Sequence, residues 1–431
     1  MWCARREFCG AWLCAVATAA CAGEPPGLPS VSSGSEGSSG TTVASSTSAE
    51  TTVGPDPDTA TTGSTSAGSD DGTGTTGETV LCEGPLGLCH ALGSVVVLPE
   101  DLTSIAHGNF DGDEYEDVVV GAGSRTQVHV AFGTAFNPLQ APQGYSTQFD
   151  TDVVDVAVAD LDGDGVLDIV AAHPLDLTLL RGAPDGTFSI AGQVGVGSSV
   201  LDLAIGDFFP DQSPTIVTVG AQLRLFTSLG RGPFEYFVAT SAPLGSNSAQ
   251  RSLTVGNLDP SATPAIGLTH RDASLVSTHV LERIDVVQAS SLSLGLPVAI
   301  TAADFDGAGL DELVVASGSG DAVIVHQLGP NGDFAELARA EPAYDVTALE
   351  VVDFNIDGNL DILFGTDGDP GAIVVFLGDA GFSFIGPFEF LANEALVDLT
   401  VGDFNGDGIP DAAGVGMSSI TLVLSTPTNA G

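Results

Sequence analysis

An Asp-rich nine-residue loop recurs seven times in this chain, about once every fifty residues, and that period limits the folds open to it more than any other feature. The fullest copy is Asp160-Leu161-Asp162-Gly163-Asp164-Gly165-Val166-Leu167-Asp168. Acidic side chains stand at its positions 1, 3, 5 and 9, and position 7, Val166, offers only a backbone carbonyl. Calcium takes about six to eight hard oxygen ligands, and a short Asp-rich turn with Gly at its tight corner supplies them. Without a cation, carboxylates this close repel one another. A single copy reads equally well as a polar turn, because Asp and Gly dominate turns. The pattern returns, however, from Asp353 and from Asp403, with variants from Asn109 and Asp304 and degenerate copies from Asp207 and Asn257. Successive starts lie 51, 47, 50, 47, 49 and 50 residues apart. Seven units of one period make a repeat architecture.

Each unit reads as strands. Before each loop runs an alternating apolar pair, such as Val156 and Val158, Leu203 and Ile205, or Leu399 and Val401. Spacing of this kind marks a half-buried strand. His107 is the polar exception in its column and reads as a satisfied core or channel-lining histidine. A small residue precedes position 1 in six units of seven, and Phe or Leu always follows it. A second strand follows the loop (Asp168-Ile169-Val170), then a third (Ala372 to Phe376), then a Gly-rich hairpin ending in Phe (Gly182 to Phe188). Helical periodicity is absent. Four short antiparallel strands per unit, seven times over, predict an all-β, seven-bladed β-propeller. Ser94 to Leu98 is one strand too many before the first unit, and the last unit has one too few. Residues 94–98 are therefore expected to close the ring by pairing with residues 420–424, since a lone apolar strand would expose an edge.

These units resemble the FG-GAP and VCBS repeats that build the β-propeller of integrin α-subunits and of many bacterial surface proteins. The resemblance rests on the series strand, Asp-rich loop, strand, Gly-x-Phe hairpin, and covers residues 94–431. It implies calcium in the loops, at about four sites with a fifth weaker. Carried onto this chain, the implied ligands of the fullest loop are Asp160, Asp162, Asp164, the Val166 carbonyl and Asp168. Those of the sixth unit are Asp353, Asn355, Asp357, Asn359 and Asp361, and of the seventh Asp403, Asn405, Asp407, Ile409 and Asp411. The first unit offers Asn109, Asp111, Asp113, Tyr115 and Asp117, with Glu114 where Gly is usual. The fifth, the weaker site, offers Asp304, Asp306, Leu310 and Glu312 but has Ala308 at position 5. The third and fourth loops place Phe209, Thr215, Ser261 and Ala265 at ligand positions and carry two prolines each, so proline is expected to hold them. The resemblance also places ligand binding on the face away from the metal loops, with Arg125, His173, His270, Arg271 and Asp369 as candidates.

Ahead of the repeats, residues 1–21 read as an export signal: Arg5 and Arg6, a short apolar run, then Thr18-Ala19-Ala20-Cys21, which resembles a bacterial lipoprotein site with Cys21 lipidated. Simple cleavage after Ala19 or near Ala22 is the alternative. Residues 22–80, rich in Ser, Thr and Gly, hold no aromatic or basic residue and read as a disordered tether. Such a coil spans roughly 40–45 Å. Residues 81–93 form a lead-in bounded by Cys82 and Cys89, expected to pair as a disulfide after export.

The chain has 56 acidic residues against 10 basic, all Arg, for a net charge of −46. That excludes binding to nucleic-acid phosphates or an anionic membrane by charge, leaving a lipid anchor as the only membrane link. No Gly-x-Ser-x-Gly elbow or His-Glu-x-x-His pair occurs, and a P-loop is impossible without Lys. His270, Arg271, Asp272 and His279 read as a solvated loop. The expectation is a non-enzymatic, monomeric surface binding or adhesion module for an extracellular protein or glycan, lipid-anchored at the bacterial outer membrane or cell surface, or else secreted. A propeller hydrolase or lyase acting on a polymer, and a purely structural envelope protein, are the alternatives.

Overall fold

The computed structural model describes residues 88–427 except 99–100, 124–125, 136–137, 210–212, 229–231, 245–251, 260–263, 284, 319–321 and 343. The export signal, Cys21, the tether, and Cys82 with its expected partnership to Cys89 lie outside the described residues.

Seven four-stranded antiparallel sheets make up the ring, and among the described residues there is no α-helix, only a 3-10 turn at Arg271–Ala273. The first blade shows the plan: Leu102–Gly108, Asp117–Ala122, Gln127–Ala131 and Gln143–Ser146, each strand paired with the next. The first strand of every blade touches the first strands of both neighbours, and the circuit closes between blades 7 and 1. First strands therefore form the inner ring. Every residue of every second strand is buried, from Asp117–Ala122 to Asp411–Gly416. A strand covered on both faces needs a continuous apolar run, and Val118-Val119-Val120 or Ile362-Leu363-Phe364 supplies one. Fourth strands alternate and face solvent, as in Ser383–Leu391.

The core lies between blades. Val314, Val323 and Val325 of blade 5 pack on Ile362, Phe364, Val374 and Phe376 of blade 6. The residue after each loop's first position is an anchor in this layer: Phe110 is 1% exposed and Phe404 0%. The anchor meets an aromatic from the next blade. Phe110 lies edge-on to Phe188 at 5.3 Å, Phe305 to Phe384 at 6.2 Å, and Phe354 stacks on His90 at 4.9 Å. Each such pair adds about 0.5–1.5 kcal/mol beyond its buried area. This explains two sequence signals together, the Phe or Leu at position 2 and the Phe ending the hairpin. The small residue before position 1 leaves room for a separate contact with the next blade: a Cβ on Gly108 would stand 2.6 Å from Leu167 Cδ1.

Ring closure follows the expected pairing and extends it. Strand Leu88–Val97 runs antiparallel to Ser419–Pro427, with Val96 opposite Ile420, Val95 opposite Thr421 and Ala91 opposite Leu424. A bulge between Leu92 and Val95 lets the strand begin at Leu88, six residues before the expected start at 94. His90 adds a side-chain bond to Ser425, Nδ1 to Oγ at 2.8 Å.

Candidate metal centres

The Asp-rich loops join first to second strands and so share one face of the ring. Their last residue opens the second strand, where Asp117, Asp168, Glu312, Asp361 and Asp411 are all 0% exposed. In four loops this carboxylate staples two backbone amides. Asp168 accepts from Leu161 N (2.8 Å) and Gly182 N (2.9 Å), and Asp361 from Phe354 N (2.8 Å) and Gly378 N (2.6 Å). Asp117 does the same with Phe110 and Gly133, and Asp411 with Phe404 and Ser425. Glu312 substitutes a longer arm, taking Phe305 N at 2.9 Å and the Gln327 side chain at 3.1 Å. Burial is the larger influence and pushes these acids up, Asp168 to about 6, Asp117 and Asp361 to about 7 and Asp411 to about 8, against the pull of the amide bonds. Position 9 is thus a structural staple as well as a candidate ligand.

The earlier positions curl the loop. Asp160 accepts amides from Gly163 (2.7 Å) and Gly165 (2.9 Å), and Asp164 holds Val166 N at 2.9 Å. Asp353 and Asp403 repeat this with Gly358 and Gly408, and Asp357 and Asp407 hold the amides of Asn359 and Ile409. In the first loop Asp113 holds Tyr115 N at 2.8 Å, while the Asn109 amide donates to the Asp113 carbonyl and points a donor where other loops place a carboxylate. Left-handed glycines at positions 4 and 6, such as Gly163 (φ 77°) and Gly165 (φ 87°), permit the curl.

Two loops bring three carboxylates together: Asp160, Asp162 and Asp168 in one, Asp304, Asp306 and Glu312 in the other, with one oxygen of each within 4.8 Å of the rest. Either cluster could hold a metal ion. Asp304 Oδ1 is buried without a hydrogen-bond partner, an orphan acceptor that a cation would satisfy. All donors are oxygens, which suits a hard cation. The fifth loop, expected to be the weak one through Ala308, is therefore among the two best gathered. Its third carboxylate comes from Glu312, whose extra methylene lets it reach both staple and cluster.

Elsewhere the structure corrects two readings. His270 and His279 are buried, 7% and 4% exposed, not parts of a solvated loop. Both Nε2 atoms bond the Ser277 hydroxyl, at 2.7 and 2.9 Å, beside a cavity of about 450 Å³ that Leu244, Leu275 and Val286 also line. His173, proposed for the face away from the metal loops, is 0% exposed and bonded to Thr178 and the Asp152 carbonyl. Asp369 is exposed and Arg271 half-buried, while Arg125 lies outside the described residues. His107 is satisfied as expected, by Thr400 Oγ1 at 2.6 Å and Glu116 at 3.2 Å. Two features were missed. Arg181 lies over the loop at 160, ion-paired to Asp162 and Asp164. Asp155, Asp202 and Asp398 each reach across a blade junction to the backbone amides of Leu203, Leu253 and Ile105. All three acids stand five residues before a loop, a regularity visible once the loops are aligned.

Comparison with known proteins agrees with this plan. The FG-GAP-like repeat matches residues 109–171, 304–364 and 353–413. Those ranges take in all five acidic loops and leave out the two degenerate ones. The chain is a seven-bladed β-propeller carrying FG-GAP-like repeats. Among solved structures it is similar to BBS1N, crystallised in complex with ARL6DN, at 11% identity and TM-score 0.53 over 76% of this chain and 93% of that one. It is also similar to Saccharomyces cerevisiae Sqt1, at 10% identity and TM-score 0.52 over 77% and 97%. At such identities the likeness concerns the fold. No curated protein matches the chain.

Proposed function

We propose that this propeller is an exported, non-enzymatic binding module for an extracellular protein or glycan, stiffened by calcium in its Asp-rich loops. The observation that carries the reading is where apolar side chains are left exposed. Leu175, Leu201, Leu296, Tyr344, Val397 and Met417 stand at strand ends and blade junctions on the face away from the metal loops. Apolar surface gathered on one face of a soluble fold marks an interaction site. Calcium is supported by an all-oxygen donor set with one orphaned buried oxygen, whereas zinc would seek imidazole and thiolate. The setting is the cell surface, through the Cys21 anchor and tether, or the extracellular space.

A screen of surface proteins and glycans with and without calcium tests it. A captured ligand should be lost by Leu175→Asp with Met417→Asp, with Tm unchanged. Loss caused instead by changes in the metal-face hairpins would count against this face. In the same protein, chelation should lower Tm and magnesium should restore little of it, because each site at millimolar calcium adds roughly 0.5–1.5 kcal/mol by mass action. An unfolding curve that chelator leaves unmoved rejects the metal.

A further inference from the structure

At the side-chain ligand positions 1, 3, 5 and 9, four of the five acidic loops carry three carboxylates each. At those positions the loops from 109, 353 and 403 carry three Asp each, and the loop from 304 carries Asp304, Asp306 and Glu312. The loop from 160 carries four there, and it has an arginine laid across it, which offsets the fourth carboxylate. Arg181 belongs to the third strand of blade 2, Asp176–Gly182, one residue before the Gly182 amide that holds Asp168. In the other three loops closed by such an amide the preceding residue is Phe132, Leu377 or Leu424. A guanidinium there is a departure from an apolar column.

Its geometry is that of a counter-ion. Nε lies 2.8 Å from Asp162 Oδ2 and Nη2 2.6 Å from Asp164 Oδ2, so one planar group draws on the carboxylates of positions 3 and 5. Asp162 is 5% exposed at its side chain and Arg181 49%. The arginine therefore covers the loop from the solvent side and can swing back to water. Two charge-assisted bonds of this length are among the strong ones. They engage the carboxylates of two expected ligand positions, one of which, Asp162, belongs to the gathered cluster.

We infer that Arg181 is a built-in counter-cation that competes with calcium at the loop from 160. It keeps that loop closed when the ion leaves, and it makes the loop with the most carboxylates at ligand positions a weaker calcium site than their number implies. This rests on the calcium reading above. The test is a calorimetric calcium titration of the full chain as wild type, Arg181→Gln, Asp160→Asn, and the double variant. Arg181→Gln should tighten one site roughly tenfold, a coupling of ordinary size, and lower Tm in chelator. The gain should vanish in the Asp160→Asn background, which assigns it to this loop. An Arg181→Gln isotherm that overlays wild type, or is weaker, overturns the competition while calcium at the other loops stands. If neither protein takes up calcium, the metal reading and the competition fall together.

Discussion

Ile356 occupies position 4 of its loop, where four sister loops have Gly112, Gly163, Gly307 and Gly406. Its φ is 57°, a left-handed conformation that crowds a β-branched side chain, and it is 52% exposed, so packing returns little. Ile356→Gly should raise stability by about 1 kcal/mol, the usual cost of a non-glycine residue there, read as a higher urea midpoint at unchanged slope. Asp411 and Asp407 show how one loop divides its labour. Asp411 is buried and staples Phe404 and Ser425 amides, whereas Asp407 is exposed. Asp411→Asn turns an acceptor into a donor against one of those amides and should cost about 1–3 kcal/mol even in chelator. Asp407→Asn should leave the chelated protein as it was and shrink only the calcium-induced rise in Tm. Equal losses in both variants would refute the division. From sequence the two aspartates looked alike, because the amide that makes one a staple arrives from a strand fourteen residues further on.

At the scale of the blade, the legible part was whatever repeats. Alternation located the first strands, apolar runs the second, and the Asp-rich loops the joints between them. Less legible were residues whose meaning depends on the neighbouring blade. Asp155 and Asp398 look like ordinary polar positions in alternating strands. Each holds its own blade's next amide and one from the blade beyond, Val156 with Leu203 and Leu399 with Ile105. His270 and His279 misled for the same reason: a polar cluster reads as loop until the adjoining blade covers it. The inner-ring acids also set a pH dependence. Burial pushes Glu350 to about 8 and Asp398 to about 7, with the Asp398 charge a further cause for Glu350. An acid whose folded pKa is raised contributes stability that is complete below its unfolded pKa and lost as pH rises through the folded one. Metal-free protein should therefore gain Tm as pH falls from 8 toward 5, and Glu350→Gln should flatten part of that slope. A Tm that instead falls over this window in wild type would contradict the assignment.

The whole molecule is held shut by one strand. Sequence arithmetic placed a closing strand before the first unit but began it at residue 94, because Leu88 to Leu92 lacks clean alternation and Gly93 reads as a break. The bulge beside Gly93 instead carries the pairing back to Leu88. A chain beginning just before Leu88 should retain one sharp unfolding transition. A chain beginning at residue 100 should lose it and self-associate, since it leaves Ser419–Pro427 as an unpaired edge. Retention of cooperativity by the shorter chain would show that the ring does not depend on this closure.

That strand also decides how the ring would respond to being pulled. Leu88 opens this strand, so a pull on the chain there arrives at its pairing with Ser419–Pro427. The contact under load joins residues as far as 339 positions apart, Leu88 with Pro427. Peeling it open would release a long loop whose reclosure carries a large entropic cost. A pull on the first residues of that strand would thus load the seam where the ring was closed, which makes that blade the fuse of the ring.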